Sequence, residues 1–165
     1  MEIKATDVKA LREKTGAGMM DCKKALVECG GDSKKAEKYL KELGLAAAAK
    51  RAGRVTKEGR VFSLIKGERG VLLELTSETD FVAKNREFIA LGKKITEDAL
   101  AKGPSAKAED FTGDVTDVIS RIKENMELRR FRVLEAGPSG LLRDYVHGEE
   151  AKVGVLLRFV LSSAA

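Results

Sequence analysis

The sequence predicts an α+β fold, and three observations carry that prediction. Apolar residues recur at spacings of three and four through the first third of the chain, the mark of short amphipathic helices. Two apolar runs at 61–65 and 71–76 then flank KGERG, a hairpin signal with glycine available for a positive φ. The stretch 71–85, VLLELTSETDFVAKN, opens with the alternation of a strand and closes as a helix, so the chain turns a corner there. Strands in runs, interrupted by helical stretches in the order β-β-α-α-β, point to an antiparallel three-stranded sheet covered by helices.

Taken in order, Thr6 and Asp7 are placed to cap a first helix with Val8 and Leu11 three apart, which should stop near Lys14. Thr15-Gly16-Ala17-Gly18 breaks it. These residues lack the Gly-Lys-Ser/Thr ending and the preceding strand of a phosphate loop, so a tight helix-to-helix turn is the better reading. Met19, Cys22, Ala25, Leu26 and Cys29 mark a second helix, whose pattern needs one of Met19 and Met20 in the core and leaves the other free as an adaptable contact. Asp32 or Ser33 caps a third helix carrying Ala36, Tyr39, Leu40 and Leu43, with Gly44 where a C-terminal cap belongs. Three short helices make a thin core, one that leans on a partner or on the rest of the chain. The small, basic run AAAAKRAGRVTK at 46–57 reads as a helical tail entering a linker. Expected boundaries are 1–53 for the helical module, 54–138 for the sheet-and-helix core and 139–165 for a further hairpin.

In the core, Ser77 and Asp80 have the spacing of a capping box. Phe81, Phe88, Leu91 and Ile95 recur at helical spacings on one long helix ending near Gly103-Pro104. Phe81, seven residues from Phe88, is on that periodicity a core residue, and Asp80 a cap. Asp114 caps another helix with Val115, Val118, Ile119, Ile122 and Met126 as its inward stripe. LRRFRVLE at 128–135 is a strand with Phe131 and Val133 on one face and Arg130 and Arg132 on the other. Residues 141–147 and 153–161 form a last hairpin about Gly148-Glu149-Glu150.

Composition narrows the function. With 31 Lys plus Arg against 26 Asp plus Glu the formal charge is +5, a mild excess that alternating signs along helix faces explain. Aromatic residues are 5% of the chain, with no Trp, too few for the stacking platforms of single-strand binding, so nucleic acid is not the expected partner. No run approaches the roughly 20 apolar residues of a membrane span, and the start has no apolar signal-peptide core, which places the chain in the cytoplasm. Cys22 and Cys29 stand two helical turns apart, too far to bridge, and are expected as buried thiols. One histidine and no Cys-x-x-Cys leave no metal cluster, no cofactor and no catalytic triad to argue for.

Two motifs carry a resemblance. LREKTGAGMMDCKKAL at 11–26 and TDFVAKN at 79–85, in that order, resemble the two signatures of the elongation factor Ts family of translation factors. The resemblance implies that the first fifty or so residues form a three-helix module like a ubiquitin-associated domain. It implies a guanine-nucleotide exchange factor, with no bond chemistry, whose Asp80 and Phe81 enter the GTPase domain of elongation factor Tu and disturb its magnesium and phosphate surroundings. Thr79, Val82 and Asn85 would shape that corner, Leu11, Met19 and Met20 would dock the helical module with Lys23 as a charge contact, and His147 would meet the partner's third domain. Taken without the resemblance, His147 is a turn residue.

The chain also departs from the family pattern. Tyr145, His147 and VGVLL at 153–157 resemble the opening hairpin of a second sheet-and-helix subdomain whose covering helices do not follow. An apolar run left bare invites association. The expectation is a truncated chain, a compact natural variant, or a homodimer that covers the hairpin with a second copy. The competing class is a small basic RNA-binding module resting on Arg129, Arg130 and Arg132.

Overall fold

A computed structural model describes residues 3–160 as an α+β protein with two compact units, one running through Gly53 plus Thr116–Glu124, the other Arg54–Val115 plus the chain from Asn125 onward.

In the first unit, α1 (Ala5–Thr15), α2 (Met19–Glu28) and α3 (Ser33–Ala49) enclose Val8, Leu11, Cys22, Ala25, Leu26 and Ala36. Helix α1 starts after Lys4 with no side-chain cap and ends at Gly16, whose φ of 68° is left-handed, a conformation that only glycine adopts cheaply. Asp32 caps α3, accepting from the amides of Lys34 and Lys35 at 3.0 Å. The expected stop at Gly44 does not occur: α3 runs on through the alanines, and Gly44 is a point of close approach, where a Cβ would come within 2.7 Å of Ser120 Cβ. Both cysteines are free thiols; Cys22 is buried and Cys29 only half-buried.

In the second unit, β1 (Glu58–Lys66), β2 (Arg69–Ser77) and β3 (Met126–Glu135) form an antiparallel sheet in the order β1-β2-β3. Gly67, at φ 60°, makes the tight turn between β1 and β2. One face carries Val71, Leu73 and Leu75 of β2 and Phe62 of β1, all buried, and α5 (Arg86–Lys102) lies across them with Phe88, Leu91, Ile95 and Ala99 inward. The contact is close enough that a Cβ on Gly92 would fall 2.2 Å from the Phe62 ring. Phe111, in a 3₁₀ turn at Ala108–Phe111, meets Phe131 edge to face at 5.8 Å. Helix α6 (Thr112–Ile122) follows and belongs to the first unit from Thr116 onward, with Val115, Val118 and Ile119 buried and Ile122 only half-buried; Met126, expected on the same stripe, opens β3 back in the second unit.

The opposite face is partly covered by the hairpin of β4 (Gly140–His147) and β5 (Val153–Val160). Gly154 lies against Val61 and Leu72, Leu142 and Leu156 against Gly70, and the amide of Val61 donates to Ala151 O at 2.7 Å. The hairpin's other face pairs Leu141 with Phe159, Tyr145 with Val155 and His147 with Val153, all exposed. Residue 161, included in the expected last strand, lies outside the described residues.

Candidate functional site

The corner after β2 is built from hydrogen bonds within its own loop. Ser77, fully buried, donates from Oγ to the carbonyl of Thr79 at 2.9 Å, and Thr79 Oγ1 accepts from the amide of Val82 at 3.3 Å. The capping residue is therefore Thr79, one before the helix α4 (Asp80–Ala83), whereas the Ser-x-x-Asp spacing predicted a box from Ser77 to Asp80. Asp80 falls inside the first turn, where a carboxylate is favoured by the exposed amides. Glu78 holds the other flank, accepting from the amide of Asn125 at 2.6 Å.

Helix α4 lasts a single turn. Asn85 Oδ1 accepts from the amide of Glu87 at 2.7 Å and starts α5 afresh. That break overturns the reading of one long helix, and with it the place of Phe81 in the core: across the break, a spacing of seven no longer means a shared face. Val82 and Ala83 point inward and are buried, while Phe81 stands 81% exposed. A ring that exposed contributes little to the core of its own unit, and it stands on a backbone fastened on both sides.

Asp80 is ion-paired. Lys84 Nζ lies 2.9 Å from Asp80 Oδ2 and 3.8 Å from Glu150 Oε1 on the β4–β5 turn. The hydrogen bond from Lys84 holds the Asp80 carboxyl below its usual range, and the reciprocal bond raises Lys84. Lys84 is missing from the sequence reading, although its spacing of four from Asp80 is the helical ion-pair spacing.

The remaining expected residues divide. Met19 and Met20 open α2, 46% and 63% exposed, so neither enters the core as one of them was expected to. Lys23 is exposed one turn on. Leu11, expected to help dock the helical module, is only 1% exposed at the centre of that unit, where its side chain packs the core. His147 is exposed at the end of β4, its Nδ1 2.8 Å from Tyr145 Oη. Thr79, Asp80, Phe81 and Val82 thus share one corner, while Met19, Met20 and Lys23 share the start of one helix.

Among the described residues no group of three or more His, Cys, Asp and Glu is arranged to hold a metal ion, and no helix is long and apolar enough to cross a membrane. The helical unit and the sheet unit each carry exposed apolar side chains at a helix start, Met19 and Met20 on α2 and Phe81 on α4. Residues 78–165 match the family described as Elongation factor TS. The chain is 50% identical over 157 residues to an elongation factor Ts of Treponema denticola, covering 95% of this chain and 56% of that protein. It is 47% identical over 170 residues to one of Treponema pallidum (96% and 58%) and 44% identical over 167 residues to one of Symbiobacterium thermophilum (98% and 55%). The chain belongs to the elongation factor Ts family, and it spans a little over half the length of these relatives.

Proposed function

We propose that this chain is a guanine-nucleotide exchange factor for elongation factor Tu, acting in the cytoplasm by binding and not by bond chemistry. The exposure of Phe81 on a capped corner is the observation that carries the reading. Asp80 and Phe81 enter the GTPase domain beside the magnesium and phosphates, with Thr79 and Val82 holding the backbone behind them. A factor that binds the nucleotide-free GTPase better than the GDP-bound one weakens GDP binding by the same factor, since the two equilibria are linked. Each tenfold weakening requires about 1.4 kcal/mol of differential binding, more over a full exchange cycle than one ring supplies, so a wider surface takes part.

Residues 1–53, a module of the ubiquitin-associated type, supply that surface through Met19, Met20 and Lys23. The core of 54–138 carries the corner, and His147, in the hairpin of 139–165, touches a separate domain of the partner. The exposed outer face of that hairpin is covered in the working assembly, either by a second copy of the chain or by further polypeptide of the kind its longer relatives contain. Stopped-flow release of a fluorescent GDP from elongation factor Tu tests the proposal: acceleration by a stoichiometric amount of the chain is expected. No acceleration, together with no complex by size-exclusion chromatography, refutes it.

A further inference from the structure

A groove of about 1140 Å³ runs over the three-stranded sheet, bordered by the β4–β5 turn and by the segment from Pro104 to Glu109. Lys57 and Arg60 stand on one side of it, Arg129, Arg130 and Arg132 on the other. The chain's modest net charge is concentrated here. A bulge between Glu74 and Leu75 leaves Arg129 without a partner in the strand register and brings it beside Arg130, so Glu74 accepts from both, from Arg129 at 3.2 Å and from Arg130 Nε at 2.6 Å. Glu74 is largely covered, while the Arg130 side chain is 80% exposed. Bound through Nε, Arg130 keeps its two terminal nitrogens for an external acceptor, a fork already oriented for an anion.

One carboxylate cannot neutralise two guanidinium groups. Arg60 spends its hydrogen bond on the backbone carbonyl of Glu149, which leaves its charge uncancelled. Lys57 and Arg132 form no ion pair among the described residues. Arg130 and Arg132, two positions apart on one strand face, repeat at about 6.6 Å, a spacing comparable to successive phosphates on an extended strand.

We propose that this groove binds a single polynucleotide strand through its phosphates, independently of sequence. The groove has room for a few nucleotides of one strand and not for a duplex. No exposed aromatic ring lines it, so base stacking contributes little and affinity rests on counterion release. The groove adjoins the Phe81 corner at the β4–β5 turn, where Lys152 lines it and Glu150 pairs with Lys84, but its basic residues Lys57 and Arg132 lie outside that corner, so RNA affinity is read apart from nucleotide exchange.

Fluorescence anisotropy of a labelled 12-mer RNA, titrated with the full chain from 50 to 200 mM salt, is the experiment. Expected are binding that weakens steeply with salt, the same affinity for DNA of that length within about twofold, and a loss of about tenfold in K57E/R132E with the logarithmic salt slope shallower by roughly 1.4, at 0.7 per phosphate contact. The neutral variant K57Q/R132Q, checked by circular dichroism, gives the same result should the charge reversal impair folding. A K34E/K38E control on α3, with the same change in net charge, keeps wild-type affinity, and GDP release from elongation factor Tu is unchanged in both groove variants. Absence of RNA binding at 50 mM salt, equal loss in the α3 control, or equally tight binding of labelled polyglutamate overturns the proposal.

Discussion

Removing the ring at position 81 separates a contact residue from a core residue more cleanly than any other substitution in this chain. Full burial of a Phe side chain contributes about 1.5–3 kcal/mol relative to leaving it in water. Phe81 is 81% exposed in the free protein, so almost all of that is gained on docking and almost none in folding. Scaled to the exposed share, Phe81→Ala should weaken productive engagement of elongation factor Tu by about 1.2–2.4 kcal/mol, roughly 7- to 50-fold in the second-order rate of GDP release. Stability should change little, within about 0.5 kcal/mol, as for surface positions generally. The assay pairs stopped-flow release with urea unfolding of the same sample. A release rate within twofold of wild type sinks the reasoning, and so does a rate loss matched by an equal loss of stability, because the ring would then be supporting its own fold.

Leu11→Ala should show the opposite balance. Its side chain is enclosed by the three helices, and a buried Leu truncation costs about 2–5 kcal/mol, read as a lower unfolding midpoint of the helical unit. Thr79→Ala removes the α4 cap and should cost about 1 kcal/mol, with Thr79→Ser restoring most of it; chemical denaturation of the three proteins side by side decides this. Lys84→Met addresses the ion pair. Asp80 has its folded pKa lowered from 3.8 and Lys84 has its raised from 10.5, so the pair's contribution is present between those two values. It is lost as pH falls through the folded value of Asp80, or rises through that of Lys84. The stability difference between wild type and Lys84→Met should accordingly be constant through neutral pH, close below about pH 3.8, and shrink in high salt. A difference that persists at pH 2 would show that the lysine acts through its methylenes and not its charge.

How much of this was legible in the sequence depended on what kind of signal each feature carries. The hairpin of β1 and β2 and the buried stripe of α5 follow from local alternation and helical spacing, and both lie where those patterns place them. The orientation of Phe81 was not legible from periodicity, because periodicity assumes an unbroken helix. Asn85, with its side chain on the amide of Glu87, is the N-cap that breaks it, and Asn-x-Glu ahead of Phe88 was the signal that finds it. Glycine usually marks a helix stop, yet after Gly44 the alanine run favours continuing the helix, and close packing against Ser120 uses the missing side chain. Met19 and Met20 face outward together because α2 begins at Met19, where the first turn has not yet closed around a core. The basic groove was half legible: Arg129, Arg130 and Arg132 mark one strand, but Lys57 and Arg60 flank the start of β1, far off in sequence, and the total charge averages them away.

The interruption at Lys84 and Asn85 also bears on how such a protein can change over time. A one-turn helix with its own cap at one end and a fresh cap at the other transmits no side-chain register to α5. The two outward positions of that turn can therefore be rewritten without repacking the sheet, while Val82 and Ala83 stay as its anchor. On the proposed function, that turn is an exchangeable cassette, and substitutions at 80 and 81 alone suffice to follow a drifting partner.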